Sequence, residues 1–423
     1  MKLKSLLLAG SALLAGTSSA LAGGYQVTLA GIKNNGMGGV GVGLSLDQAA
    51  MFYNPGALAM VRERGVQIGG NITFARNAYV APGSNMQREL RNSVVTPFSV
   101  YAGFGPTEGK FRAGIAVYTP FGSKLQYANG WEGRTALTDI DLKSVFVQPT
   151  FSYAITDELS VGAGLVVLAY GAVNLQRDIA LPDSYGHIEL DGKAKTKLGF
   201  NAGIYYKPSD KLSIGISHRS KIDAVVDNDG DVTFSNIPES FRGRFQATKF
   251  GATLPLPATT SLGIGVMPSE KLTIGFDVNF VQWSKYRELR FDFDQPIPDT
   301  KTGGTTTVST SKRNYEDALT FRLGGQYQLT SGLTVRAGGS YDMTPVPDGY
   351  LTPETPDNDR VSGTVGASYA FGKFSLDLSG QFIRIQKRTE TQADLINNGT
   401  TDRVAGTYKT NIVIPGLGLN YAF

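Results

Sequence analysis

The feature that most constrains this chain is a rhythm. Segments with an apolar residue at every second position are joined by connections that are alternately short and long. Period two is the strand period, because successive side chains point to opposite faces. In 272–280 the apolar set is Leu272, Ile274, Phe276, Val278 and Phe280, set against Thr273, Gly275, Asp277 and Asn279. The same alternation runs through 361–371 and 374–382. It returns in the last segment as Val413, Leu417, Leu419, Tyr421 and Phe423.

Read in order, the candidate strands are fourteen: 64–80, 94–104, 111–127, 142–155, 159–180, 193–207, 211–226, 253–268, 271–291, 314–329, 333–343, 359–371, 374–388 and 404–423. Connections after the even segments are short, as at 156–158, 269–270 and 372–373. Those after the odd segments are long and polar, as at 227–252, 292–313 and 344–358. An up-and-down membrane barrel requires this, with tight turns on the periplasmic side and long loops outside. A soluble β-sandwich gives no reason for it. Closure into a barrel is also the one β arrangement that leaves no unpaired backbone edge in lipid. The expected fold is therefore an all-β, 14-stranded antiparallel transmembrane barrel occupying 64–423. A mean hydropathy of -0.11 does not oppose this, since only alternate residues face lipid.

The first 22 residues read as an export signal. Lys2 and Lys4 form its charged region, Leu6 to Leu14 its apolar region, and Ala20-Leu21-Ala22 a cleavage site before Gly23. Losing those two lysines from 40 basic residues leaves a near balance with the 36 acidic ones, so nucleic acid is not an expected partner. There are no cysteines, which excludes a disulfide framework, a thiolate metal site and a Cys nucleophile. The two histidines, His187 and His218, have no evident catalytic partners. Asp227-Asn228-Asp229-Gly230-Asp231 lacks the spacing and closing Glu of a calcium loop. No catalytic residue, cofactor or metal is expected.

Residues 23–63 do not read as barrel. They are glycine-rich between Gly36 and Gly43, then carry a short helical candidate at Asp47–Met51 and the turn Asn54-Pro55-Gly56. They are too apolar for a solvated tail, and a hatch folded inside the lumen is their natural place. A 14-stranded barrel is wider than its own side chains fill. Unplugged it is a porin; plugged it can offer an apolar pocket.

Several pieces, taken in order, resemble the FadL-type transporters of long-chain fatty acids and hydrocarbons over essentially the whole mature chain. They are Gly23-Gly24-Tyr25-Gln26, Ala49 to Leu58, Trp131-Glu132-Gly133-Arg134, Leu254-Pro255-Leu256-Pro257, Gln282-Trp283-Ser284, Pro345 to Arg360, and Asn420-Tyr421-Ala422-Phe423. The resemblance implies a monomer in the outer membrane of a Gram-negative bacterium, inserted by the barrel assembly machinery through the strand ending in Phe423. Its ligand would be a long-chain fatty acid or another hydrophobic small molecule, aromatic and alkane hydrocarbons being the alternative and a general porin a remoter one. The ligand would bind in the lumen and pass sideways into outer-membrane lipid through a gap at the third strand.

The resemblance also assigns residues. Pro120, Phe121 and Gly122 would form the lateral opening, and here the residues agree, since proline donates no ladder hydrogen bond and glycine permits a kink. Asn54, Pro55 and Gly56 would be the hatch motif, with glycine where the family has alanine, which implies a looser turn. Tyr25 would occupy the pocket and its hydroxyl would make it more polar. The ligand's carboxylate would meet a cation after strand 5, for which Arg177 fits, and one before strand 10, near Lys312 and Arg313.

Overall fold

The computed structural model describes residues 24–61, 63–91, 94–106, 109–299, 303–400 and 403–423. The export signal at 1–22 and Gly23 lie outside the described residues. Fourteen wall strands close antiparallel. They are β1 (Gly65–Asn71 and Thr73–Val80), β2 (Val94–Val95 and Phe98–Phe104) and β3 (Phe111–Tyr118 and Gly122–Gln126). Next come β4 (Asp139–Ala154), β5 (Leu159–Ala180), β6 (Tyr185–Lys193 and Lys197–Ser209) and β7 (Leu212–Arg219 and Ile222–Ser235). Then follow β8 (Lys249–Leu256 and Thr259–Ser269), β9 (Leu272–Val281 and Glu288–Pro298) and β10 (Thr305–Lys312 and Ala318–Gln328). The last four are β11 (Leu333–Asp342), β12 (Arg360–Phe371), β13 (Phe374–Glu390) and β14 (Gly406–Ala422). β14 returns to β1 through Gly65↔Ala422 to Asn71↔Gly416 and Phe74↔Val413 to Val80↔Thr407. No sheet edge is left at that seam.

Burial runs opposite to that of a soluble protein. On β13, Leu376, Leu378 and Phe382 are exposed on the outer face while Asp377 and Ser379 are buried inside. On β4, Gln148, Thr150 and Ser152 are buried and Phe151 and Tyr153 exposed. Apolar-out, polar-in alternation is what a lipid-facing wall with an internal filling produces.

The short turns fall where the sequence puts them, but three of the long loops differ. β5 and β6 extend as a hairpin closed by residues 181–184, β7 continues to Ser235, and β9 continues to Pro298. Much of 227–252 and 292–313 is therefore strand. The extensions keep pairing with one another, as in Tyr185↔Ala180 to Lys193↔Ala172 and His187↔Ser235 to Asp191↔Asp231. One face of these extensions is buried through Ile188, Leu190, Val232 and Ile297, and the other carries polar residues. In the acidic run, Asp229 and Asp231 are paired with Lys195 and Lys249 at 2.5 Å each.

Residues 24–61 lie inside the ring. A first helix, α1 (Ile32–Asn35), packs on β12, β13 and β14. A second, α2 (Ala50–Tyr53), starts after a turn in which Asp47 accepts from the Ala49 amide at 2.9 Å. It leads into a 3-10 turn, Pro55–Met60, which packs on β4, β5 and β6 across the bore. Between them Asp277 of β9 accepts the Gly41 and Val42 amides at 2.7 and 3.0 Å. The wall presents glycine where this segment leans on it. A β-carbon at Gly215 would collide with the Val42 carbonyl, and one at Gly324 with the Met37 carbonyl. Backbone-to-backbone approach of this kind admits no side chain.

Gly215→Leu is therefore expected to dislodge the segment and leave the ring closed. The purified variant should show larger steady ion currents in planar bilayers than the parent, with unchanged barrel content by circular dichroism. Equal currents would show that this contact does not hold the bore shut.

Candidate functional site

β3 departs from the regular ladder at Thr119–Phe121. Tyr118 pairs with Phe146 of β4, and Gly122 pairs with Lys143. Four steps along β3 are thus matched by three along β4, so β3 carries one extra residue. Pairing of β3 with β2 stops at Ser99↔Tyr118. Beyond it, β2 turns to β1 through Thr73↔Val95 and Phe74↔Val94, while β3 stays with β4. Among the described residues, backbone pairing on that side resumes at the single bridge Arg91↔Gln126.

The groups freed at this interruption find other partners. The Phe121 amide donates to Ser144 Oγ at 3.2 Å, and that hydroxyl donates to the Phe121 carbonyl at 2.6 Å. Thr119 Oγ1 accepts the Phe98 amide at 3.2 Å. From inside, the N-terminal segment pairs with β3 as a short strand. The Val27 amide donates to the Pro120 carbonyl at 2.8 Å, and the Gly122 amide to the Tyr25 carbonyl at 3.1 Å, across the bridge Gln26↔Phe121.

A cavity of about 490 Å³ opens here. Its lining includes Tyr25, Phe121 and Trp283 inside the barrel, Val94 to Phe98 and Ser123 to Leu125 at the interruption, and Lys143 and Tyr170 on the outer side. One space thus reaches from the lumen to the outer face. Tyr25 lies edge-on to Trp283 with centroids 4.9 Å apart and 6.2 Å from Phe121. Its hydroxyl donates to the Pro255 carbonyl at 2.5 Å. Burial raises the Tyr25 phenol well above its ordinary range, so it remains a donor. The expected extra polarity is thereby consumed by the wall, and the cavity meets the ring.

The backbone beside Tyr25 is held by a charge pair. The Gly24 amide donates to Asp357 Oδ2 at 3.0 Å, and Arg360 donates to the Gly24 carbonyl at 2.8 Å. Arg360 and Asp357 are 2.7 Å apart. Arg322, also on the lining, faces Asp342 at 3.6 Å.

The structure brings together Tyr25, Phe121 and Gly122, with Pro120 buried at the interruption. It places the other expected residues elsewhere. Arg177 lies on β5 and donates to the Thr135 carbonyl at 3.2 Å. Lys312 is exposed at the end of the first part of β10. Arg313 is buried behind the cavity, bound to Tyr286 and Ser311, and ion-paired with Glu354 at 3.2 Å. None of these three cations is among the lining residues.

Asn54 is fully buried and ties the inner segment to the wall. Its Nδ2 donates to the Val42 and Ile204 carbonyls at 2.9 and 3.0 Å, and its Oδ1 accepts the Gly56 amide at 3.0 Å. Gly56 is not a loose point. Ser152 and Ser160 donate to its carbonyl at 3.1 and 2.7 Å, and a β-carbon there would lie 2.7 Å from the Gly203 carbonyl oxygen. The glycine lets the turn sit closer to the wall.

Reasoning from sequence missed Trp283, Asp357, Arg360 and Arg322 as lining residues. The first three stand within the quoted resemblance pieces. A tryptophan and an acid–base pair within those pieces were the available signal.

A sealed ring, an internal segment and an apolar space crossing the wall define a class: an outer-membrane β-barrel transport protein with a hatch. The chain belongs to the family of outer membrane protein transport proteins (OMPP1/FadL/TodX), whose model matches residues 13–423. It is 25% identical to the 47 kDa outer membrane protein of Pasteurella multocida, over 99% of this chain and 98% of that one. It is 22% identical to the long-chain fatty acid transport protein of Escherichia coli K12, over 88% and 91%. Its fold is similar to that of a Pseudomonas aeruginosa FadL homologue, with a TM-score of 0.79 at 20% identity over 95% of this chain and 100% of that one. The Ralstonia pickettii toluene transporter TbuX matches with a TM-score of 0.68 at 18% identity over 93% and 98%. The protein is thus an outer-membrane transport protein by family.

Arg313→Met is expected to cost about 3 kcal/mol, because it leaves Glu354 buried without its partner. Adding Glu354→Leu should recover most of that loss. Thermal unfolding followed by tyrosine fluorescence measures both. A double variant no better than the single one would show the pair is not coupled.

Proposed function

We propose that this protein takes long-chain fatty acids, or hydrophobic molecules like them, across the outer membrane without an energy source of its own. The ligand binds against Tyr25, Phe121 and Trp283 and leaves sideways between β2 and β3. The observation that carries this reading is the single cavity lined both by Trp283 from the lumen and by Tyr170 from the outer face, at the place where wall pairing stops. Pro120, Phe121 and Gly122 form the lateral opening. Residues 23–63 serve as the hatch, pinned by Asn54, Pro55 and Gly56, and 64–423 as the barrel, after removal of 1–22. The chain acts as a single copy and performs no catalysis. The names of its relatives, which include fatty acid and toluene transporters, support the ligand class.

A second reading, in which the ligand is a neutral hydrocarbon, draws on the cavity's inner end. Each guanidinium there already has a carboxylate, through Arg360–Asp357 and Arg322–Asp342. Arg177, Lys312 and Arg313 remain proposed headgroup residues only insofar as movement brings them to the cavity. Side-by-side uptake of labelled oleate and labelled toluene by cells lacking other transporters separates the two readings.

The extra residue of β3 supplies the test of sideways release. Deleting Pro120 restores continuous register with β4, so the interruption should close. The expected result is loss of uptake with a barrel that still inserts and resists heat in gels. Unchanged uptake would place the exit elsewhere.

A further inference from the structure

The charges along the cavity are unevenly balanced from one end to the other. At the inner end Arg360 holds Asp357 at 2.7 Å and Arg322 faces Asp342 at 3.6 Å. The remaining carboxylate there, Glu354, is held by Arg313 at 3.2 Å. An anion arriving at that end would displace an existing carboxylate and leave it desolvated and unpaired, which is costly. The outer mouth differs. Lys124 and Lys143, both on the lining, share one carboxylate, with Asp141 Oδ2 at 3.5 and 2.8 Å. Further along the same face stand Asp139, opposite Gln126, and Glu189 and Asp191, both of which accept from Asn174.

Geometry places the two lysines at the rim. Gly122 pairs with Lys143 and Lys124 with Asp141, so all three charged side chains stand on one face of adjacent strands. Alternation along β4 makes that face the outer one, since Ser144 and Phe146 are buried inside. Tyr170, exposed on the same outer side, lines the same cavity. Lysines and a tyrosine at the upper border of an apolar wall occupy the headgroup level of a bilayer.

Resting on the transport reading above, we propose that Lys124 and Lys143 are the anion site of this cavity, and that a fatty acid binds with its carboxylate at the wall opening. Its tail then lies inward on Tyr25, Phe121 and Trp283. This orientation keeps the charge at headgroup level throughout. The carboxylate stays with the lysines while the tail swings from the aromatic inner end into the hydrocarbon of the membrane. A headgroup bound inside would instead have to cross the apolar gap between Val94 to Phe98 and β3 as it left.

Tryptophan quenching reads the orientation directly, because the chain has two tryptophans and only Trp283 lines the cavity. The purified protein is titrated with stearic acids brominated near the methyl end or near the carboxyl. A Trp283→Phe variant supplies the Trp131 background. The methyl-end isomer is expected to quench Trp283 the more strongly. Stronger quenching by the carboxyl-end isomer would overturn the orientation and leave the transport reading standing. Quenching by neither isomer would remove ligand from the cavity, and both readings would fall.

The Lys124→Gln/Lys143→Gln variant tests the site itself. Its affinity for stearic acid should fall about fivefold, with octadecane binding unchanged. An equal fall for both ligands would make the lysines structural. Unchanged acid affinity, with less lipopolysaccharide co-purifying, would assign the pair to a lipid phosphate and overturn the proposal.

Discussion

Hydrocarbon offers no hydrogen bonds, so a chain crossing it must satisfy every backbone donor and acceptor from within. The rest of this structure follows from that requirement. It demands a closed ring, which β14 completes on β1, and it forbids an idle interruption. At Thr119–Phe121 the ladder breaks, and the replacement partners come from three sources: the Ser144 hydroxyl, the Thr119 hydroxyl and the backbone of residues 25–27. The N-terminal segment is therefore part of the wall's hydrogen bonding as well as part of the filling. The N-terminal segment and the interruption are joined at the level of individual amides.

The same ring creates a wide bore whose inner face is polar. Filling it with chain means satisfying those polar groups by backbone. Asp277 does so with the Gly41 and Val42 amides, Asn54 with the Val42 and Ile204 carbonyls, and Ser152 and Ser160 with the Gly56 carbonyl. Glycines on both sides bring the backbones close enough for this. The glycine-rich stretch 36–43 is explained by that packing. What remains unfilled is the apolar region beneath the interruption, where Tyr25 has already spent its hydroxyl on Pro255.

The wall was legible in the sequence because its cause is periodic. A lipid-facing residue at every second position, such as Leu272 to Phe280 or Phe374 to Phe382, leaves a mark that no tertiary contact can erase. The strand extensions around 185–193 and 227–235 were missed although Ile188, Leu190 and Val232 alternate there and are buried, because the glycines and acidic residues between them look like loop when the pairing partners are not known. Pro120 and Gly122 announced the interruption by their own backbone chemistry. Arg313 and Arg177 show the opposite case. A sequence displays a cation without its partners, and Arg313 is neutralised by Glu354 across 41 residues of chain. The spacing that would reveal such a pair exists only in the folded ring. Gly56 misled for a related reason: a glycine that loosens an isolated turn tightens one that is pressed against Gly203.

These pairings bear on how the cavity can change. The Val27 and Gly122 amides are both spent on contacts between the N-terminal segment and β3, and Gly24 is held at the same time by Asp357 and Arg360. Moving residues 24–27 would free the two β3 groups and the Asp357–Arg360 pair together, since one short stretch of backbone serves all of them. Enlarging the inner end of the cavity and loosening the wall beside it are thus one structural event. A ligand that pressed on Tyr25 would act on the same few hydrogen bonds that complete the barrel at this interruption, which would couple occupancy of the cavity to the integrity of the wall.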